Sequence, residues 1–388
     1  MEQQMIVGIP RPFTAAVPDE AIADLRARLA MTRWPEKETV DDWDQGVPLA
    51  YAKELAECWR TEHDWRACEA ALNAWPHYLV EVDGLDIHMI HVRSDNPAAR
   101  PLILTHGWPG SVLEFLDVIP ALSADFHLVI PSLPGYGFSG KPTKSGWSVD
   151  HIATAWDALM RSLGYPRYFA QGGDWGSAVT TAIGEQNHGG CAGIHVNMIV
   201  ARPTPEMMAS MTPEEMRALA RLGWYREKDT GYSIAQKTRP QTLGYGLADS
   251  PAGQMAWIVE KFHGWTDCGH APPANQPGHS VGGHPERALS RAKMLDTVSL
   301  YWFTNSAASS ARLYWHSFGR FAEGTVEVPA GCSLFPWEIM QMSRRMAETR
   351  YRNISYWNEL PAGGHFAAME QPELFASEVK AAFATMSL

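Results

Sequence analysis

The run Gly172-Gly173-Asp174-Trp175-Gly176 follows directly on the apolar stretch 168–171. A strand that ends in glycine, one reactive side chain, one further residue and glycine has the form of a strand-to-helix elbow. The turn is so sharp, and its neighbours so close, that the flanking positions leave no room for a Cβ. It holds its central side chain at the top of a sheet, and here that side chain is Asp174 rather than serine. A glycine cluster beside a strand is common, so the elbow gains weight only from what else the chain supplies.

The surroundings supply a sheet. Segments 87–92, 102–105, 128–130 and 194–199 are, like 168–171, rich in Ile, Val, Leu or aromatics and bounded by Gly, Pro or Asp, and 149–163 carries a helical pattern between two of them. Strand and helix alternating in this way predict an α/β fold, a mostly parallel sheet flanked by helices. Ahead of it, Pro18-Asp19-Glu20 opens a helix in which Ile22, Leu25 and Leu29 recur until Trp34-Pro35, and 49–59 reads as a second amphipathic helix. Helical segments rich in Met, Trp and Leu fill 203–292, ending in a Pro/Gly/His-rich loop at 270–285; strands return at 326–335 and 354–360 before a closing helix at 372–384. The expected organisation is an N-terminal extension (1–90) packing on a core (91–202 and 293–388) with an inserted helical cap (203–292).

Composition excludes several classes of function. The 388 residues carry 32 Lys and Arg against 43 Asp and Glu, a net charge of −11 with no basic run, which argues against a nucleic-acid partner. No apolar stretch approaches the roughly 18 residues that span a bilayer, and the start lacks a signal peptide's basic region, so no membrane anchor is expected. Five scattered cysteines do not form a disulfide framework and fit a reducing cytoplasm. The aromatic content, 16 Trp, 13 Phe and 12 Tyr, suits an apolar pocket.

Partners for Asp174 follow it in the chain order nucleophile, acid, histidine. Glu338 lies just past a strand in Leu334-Phe335-Pro336-Trp337-Glu338, where a carboxylate can orient an imidazole; His365 lies in the glycine turn Gly363-Gly364-His365-Phe366-Ala367-Ala368 after another strand. Alone, each reads as a surface Glu or a loop His. The loop His106-Gly107-Trp108-Pro109-Gly110-Ser111 stands where one backbone N–H of an oxyanion hole is expected, from Trp108, the second coming from Trp175. His106 itself is expected to lock that loop, and the loop 133–139 to pack beneath the site.

These motifs together resemble the α/β-hydrolase-fold epoxide hydrolases, in the branch of the microsomal and juvenile-hormone enzymes. The resemblance covers nearly the whole chain. Its specific words are the 106–111 loop, Gly173-Asp174-Trp175-Gly176 and the 363–368 turn, supported by Arg33-Trp34-Pro35, Asp64-Trp65-Arg66 and Leu72-Asn73. By position it implies Asp174 as nucleophile, His365 as base and Glu338 as the partner of His365. It also implies two tyrosine acids that pattern alone does not select: Tyr232 in Gly231-Tyr232-Ser233-Ile234, and Tyr314 at the end of Ser309-Ser310-Ala311-Arg312-Leu313-Tyr314.

That set suits the conversion of an epoxide to a vicinal diol through an ester on Asp174, with a small apolar epoxide and water as partners and no cofactor. Two alternatives stand beside it: a dehalogenase using the same Asp, for which Trp175 offers an indole N–H, and a noncatalytic ligand-binding member of the fold. His263, Cys268, His270, His279 and His284 gather around the cap loop without a recognised zinc spacing, so no metal is expected. The apolar cap surface leaves a homo-oligomer open.

Overall fold

The computed structural model describes residues 5–271, 281–319 and 324–388. Nine strands form one sheet: β1 (Arg11–Phe13), β2 (His77–Val82), β3 (Leu85–Val92), β4 (Arg100–Thr105), β5 (Phe126–Pro131), β6 (Tyr168–Gly172), β7 (Cys191–Val196), then, past a two-stranded pair β8 (His270–Ala271) and β9 (Val281–Gly282), β10 (Ala330–Leu334) and β11 (Ile354–Glu359). The order across the sheet is β1-β2-β3-β5-β4-β6-β7-β10-β11. From β5 to β11 every pairing is parallel, whereas β1, β2 and β3 join antiparallel.

The central strands are buried on both faces, and their alternation assigns each residue to one of two cores. Ile103, Val129 and Ala170 point into one, among Trp156 and Ile183; Leu102, Leu104, Leu128, Ile130 and Phe169 point into the other, among Phe375, Val379 and Phe383. The helices Val149–Ser162 and Asp174–Gln186 cover the first side and Pro372–Ala384 the second. Ser148 caps the first of these helices on the His151 N–H, and the Trp156 indole donates to Thr105 Oγ1 at 3.2 Å, pinning it to β4.

Two expected boundaries differ from the structure. A limit at residue 90 cuts β3, because the extension contributes β1, β2 and β3 to the sheet itself. The helical block does not close at 292: Arg291–Phe303 and Ala307–Ser317 follow before the sheet resumes at Ala330. The strand expected over 194–199 leaves the sheet after Val196, because Asn197 turns its amide towards the elbow and accepts from Gln171 Nε2 at 3.0 Å. Likewise only Ala330–Leu334 of 326–335 is a strand, Val326 making an isolated bridge to Tyr351.

Short words of the extension prove to be joints. Asp64 caps the helix Trp65–Asn73 by accepting from the Arg66 N–H at 3.0 Å, and at its far end the Asn73 amide holds Ala15 through both its N–H and its C=O. The Trp59 indole donates to Ser299 Oγ at 2.8 Å, tying the extension to Arg291–Phe303. No described helix is long and apolar enough to cross a membrane.

Candidate active site

Asp174 is the first residue of its helix and has φ 48°, a left-handed conformation that side chains seldom adopt. The turn is fixed by contacts that admit only glycine. A Cβ on Gly176 would lie 1.8 Å from the Thr105 carbonyl oxygen, one on Gly172 would lie 2.1 Å from that of Gly176, and one on Gly107 would lie 2.1 Å from Asp174 Oδ1. The elbow is thus wedged against β4 and the 106–111 loop.

The two oxygens of Asp174 have different neighbours. Oδ1 accepts from the Trp108 N–H at 2.7 Å; Oδ2 lies 3.2 Å from His365 Nε2. On the other side of the imidazole, Nδ1 is 2.6 Å from Glu338 Oε1, which also accepts from the Ile339 N–H at 2.7 Å. Glu338 Oε2 is buried with no hydrogen-bond partner among the described residues. Burial alone would lower the pKa of His365, but the charges of Glu338 and Asp174 and their hydrogen bonds hold it well above the ordinary imidazole value. The 363–368 turn is pinned to the end of the helix Pro251–Trp265, because the His365 N–H donates to the Trp265 carbonyl at 2.9 Å.

His106 is buried and bonded as a joint: Nε2 accepts from the Leu133 N–H at 3.1 Å, and burial lowers its pKa to about 4, so it is neutral. The 133–139 loop that it holds packs against the helix Ala307–Ser317, where Ser309 Oγ donates to the Gly135 carbonyl at 2.5 Å.

The structure brings Tyr232 and Tyr314 over the elbow. The Tyr232 ring stacks on Trp108 at 5.0 Å between centroids and 9° between planes, and the Tyr314 ring meets Trp175 edge-on at 4.7 Å. The two tyrosine rings are 5.8 Å apart, and both line a cavity of about 450 Å³ that reaches Asp174. Burial, reinforced by neighbouring tyrosines and the Asp174 charge, raises both phenols well above 10, which keeps them protonated donors at neutral pH.

Three groups at the site were not legible. The Tyr225 hydroxyl lies 2.9 Å from that of Tyr232, and one tyrosine among 12 carries no mark of such a role. Lys261, fully enclosed, sits 4.5 Å over the Tyr232 ring and is paired with Asp229 at 2.6 Å, whose other oxygen accepts from the Trp265 indole. Glu114 carries a sequence signal, but one for a different function: Ser111-x-x-Glu114 is a capping box, and its Oε1 does accept from the Ser111 N–H at 3.1 Å. Its carboxyl also borders a small cavity of about 20 Å³ shared with Asp174, His365 and Gln171, room for one water molecule. Burial raises the Glu114 pKa to about 8.

The described members of the histidine cluster have separate partners. His263 stacks on Trp43 at 4.0 Å and His284 caps the turn Pro285–Arg287. The His270 side chain and His279 lie outside the described residues, and among those described no three ligands gather to hold a metal.

The comparisons with known proteins agree with one another. Residues 10–115 match the epoxide hydrolase N-terminus and residues 100–252 the alpha/beta hydrolase fold. A candidate epoxide hydrolase of Stigmatella aurantiaca is 51% identical over 383 residues, covering 96% of this chain and 84% of that one. The chain belongs to the epoxide hydrolase family. Juvenile hormone epoxide hydrolase 1 of Ctenocephalides felis is 33% identical over 95% of this chain and 84% of its own length. The solved epoxide hydrolase of Aspergillus niger superposes with a TM-score of 0.87 at 31% identity, covering 98% of this chain and 97% of that one. Within this epoxide hydrolase the N-terminal strands, the rest of the sheet and the helices between β7 and β10 therefore follow the fold of that solved structure.

Proposed function

We propose that the protein hydrolyses an epoxide to a vicinal diol through a covalent ester on Asp174. The observation that carries this reading is the division of the Asp174 carboxylate, Oδ1 on the Trp108 N–H and Oδ2 facing His365, beneath two protonated tyrosines. Oδ2 attacks one ring carbon, the C–O bond breaks, and the alkoxide takes a proton from Tyr232 or Tyr314. Oδ1 is then the ester carbonyl oxygen and already rests in its hole.

A water beside the ester gives its proton to His365, oriented by Glu338, and attacks the carbonyl carbon. The N–H groups of Trp108 and Trp175 hold the resulting oxyanion. Before the water attacks, the tyrosinate left by ring opening takes the proton that His365 holds at rest; collapse then releases the diol and restores the carboxylate with the water's proton on His365. The halide alternative has weaker support: the Trp175 side chain is engaged by the Tyr314 hydroxyl instead of standing free for a leaving halide.

The test is intact-protein mass spectrometry of His365→Ala incubated with panels of terminal and disubstituted epoxides and of haloalkanes, with Asp174→Ala as control. A gain equal to the whole epoxide mass, absent from the control, is expected. A gain equal to a haloalkane less hydrogen halide would move the protein to dehalogenation, and no gain from either panel would refute the covalent reading.

A further inference from the structure

The hydroxyl of Tyr232 has two demands on it. A phenol carries one hydrogen and can donate it once. When Tyr232 gives that hydrogen to an epoxide oxygen, its contact with the Tyr225 hydroxyl at 2.9 Å survives only with Tyr225 as the donor. A bound epoxide therefore sets the direction of the pair: Tyr225 to Tyr232, and Tyr232 to the ring oxygen. Burial and the charges of Asp229, Asp174 and Glu338 hold the Tyr225 phenol above its ordinary value against that hydrogen bond, so its proton is in place at neutral pH.

The backbone is irregular where it supplies these groups. Between the helices Pro213–Trp224 and Gly231–Thr238 the chain makes a wide π-helical turn, Tyr225–Asp229, of a kind that collects at functional sites. Its first residue bonds to the Tyr232 hydroxyl, and its last holds the group that stands over the Tyr232 ring. Asp229 Oδ1 accepts from the Lys261 ammonium at 2.6 Å and Oδ2 from Trp265 Nε1 at 2.6 Å. Lys261 and Trp265 are one turn apart on the helix Pro251–Trp265, so both face Tyr232, the ammonium 4.5 Å over its ring and the indole edge-on at 5.2 Å between centroids. Burial opposes the charge of Lys261, but Glu260 and Asp229 hold it above the ordinary lysine value. A buried ion pair is seldom a net gain in stability, so an ammonium over this particular ring points to another use.

We infer that Tyr225 and Lys261 are positioning residues for the first chemical step, holding the negative charge that ring opening leaves on Tyr232. The inference rests on the proposed ester mechanism and deepens it. In that step Asp174 Oδ2 forms a bond to carbon, the ring C–O bond breaks, and the Tyr232 proton goes to the alkoxide. One negative charge thus leaves Asp174 and reappears on the tyrosinate. At rest that charge faces His365; after ring opening it lies beside Lys261 and accepts from Tyr225. A hydrogen bond to an ionised oxygen is about twice as strong as one between neutral groups, so this support is greater once the charge has formed than while the epoxide is merely bound. Both residues act through Tyr232, and the later attack of water on the ester does not involve them.

The experiment follows single turnovers of styrene oxide, or of the panel epoxide that labels fastest, and reads ester formation and ester hydrolysis separately. Tyr225→Phe keeps the ring and removes only the hydroxyl. It should slow ester formation by about 10- to 100-fold, the range for a hydrogen bond to a charged group, and leave ester hydrolysis alone. Asp229→Asn combined with Lys261→Met removes the ion pair together and should slow the same step by about 10-fold. In a Tyr232→Phe background neither change should slow ester formation further, because the hydroxyl through which both act is gone. An unchanged rate in Tyr225→Phe, a loss shared equally by the two steps, or a loss of the same size in the Tyr232→Phe background would overturn the inference, while an adduct on His365→Ala would leave epoxide hydrolysis standing. No ester in the parent protein and no adduct on His365→Ala would refute both.

Discussion

The sheet with its loops and the helical block 205–317 each supply half of the proposed site, and they hold their halves differently. On the core side, backbone does the positioning. A Cβ on any of Gly107, Gly172 and Gly176 would fall within 2.1 Å of a neighbouring oxygen, and the proposed reactive groups form one chain from the Trp108 N–H through Asp174 and His365 to Glu338. On the cap side, rings do the positioning: Tyr232 lies flat on Trp108, Tyr314 stands against Trp175, and the hydroxyl partner of Tyr232 is another tyrosine. On the proposed reading the nucleophile and its oxyanion site are therefore positioned by the sheet and its loops, and the proton donors by the helical layer packed over them.

The largest test of that division is Asp174→Ala, for which diol formation should fall by about 10⁶-fold, the loss that follows removal of a covalent nucleophile. Next comes a pair of glycines. Gly176→Ala puts a methyl 1.8 Å from a backbone oxygen and should destabilise the fold by more than about 4 kcal/mol, whereas Gly246→Ala in the cap helix Pro240–Asp249 meets nothing within 4 Å and should shift stability by about 1 kcal/mol or less. Denaturation midpoints of the two variants decide it; equal losses would mean the elbow is not wedged. Tyr232→Phe and Tyr314→Phe should each slow ester formation by about 10²-fold and leave ester hydrolysis alone, a split that single-turnover kinetics resolves. If both steps slowed together, the tyrosines would not be the acids.

The smallest effect concerns pH. Because the folded pKa of Glu114 is raised to about 8 by burial, folded protein holds a proton that unfolded protein has released above the ordinary carboxyl range. Stability should thus decline as pH rises from about 4.3 to about 8. Glu114→Gln should flatten that decline in melting temperature, and an unaltered slope would place the proton elsewhere.

The core half was the more legible in the sequence, for a physical reason. A glycine demanded by a close approach leaves a mark at its own position, so Gly172, Gly173 and Gly176 announced the turn that Asp174 occupies. Glu338 and His365 announced themselves through chain order and strand-end loops. Tyr232 and Tyr314 were reached through resemblance, because a ring in an aromatic helix packs the same way whether or not its hydroxyl reacts. Tyr225 and Lys261 left no trace, since what matters in both is a neighbour brought near by the tertiary fold. The end of the helical block was equally hidden, since helical periodicity cannot say whether a helix packs over the sheet or flanks it.

In the proposed reaction the divided carboxylate of Asp174 also governs when each event occurs. In the resting protein its charge helps to keep His365 protonated, so the imidazole is no base. In the proposed ester that charge and that hydrogen bond are gone and Glu338 alone still opposes burial, so the imidazole pKa falls and its proton passes to the tyrosinate left by ring opening. The substrate, by bonding to one oxygen, releases the reagent that will later cut it free. An imidazole NMR titration of the trapped Glu338→Gln ester against the unreacted variant reads this directly, with a lower pKa expected in the ester and an unchanged one refuting it. One negative charge then acts as a clock: no base before there is an ester, and no base left once the carboxylate returns.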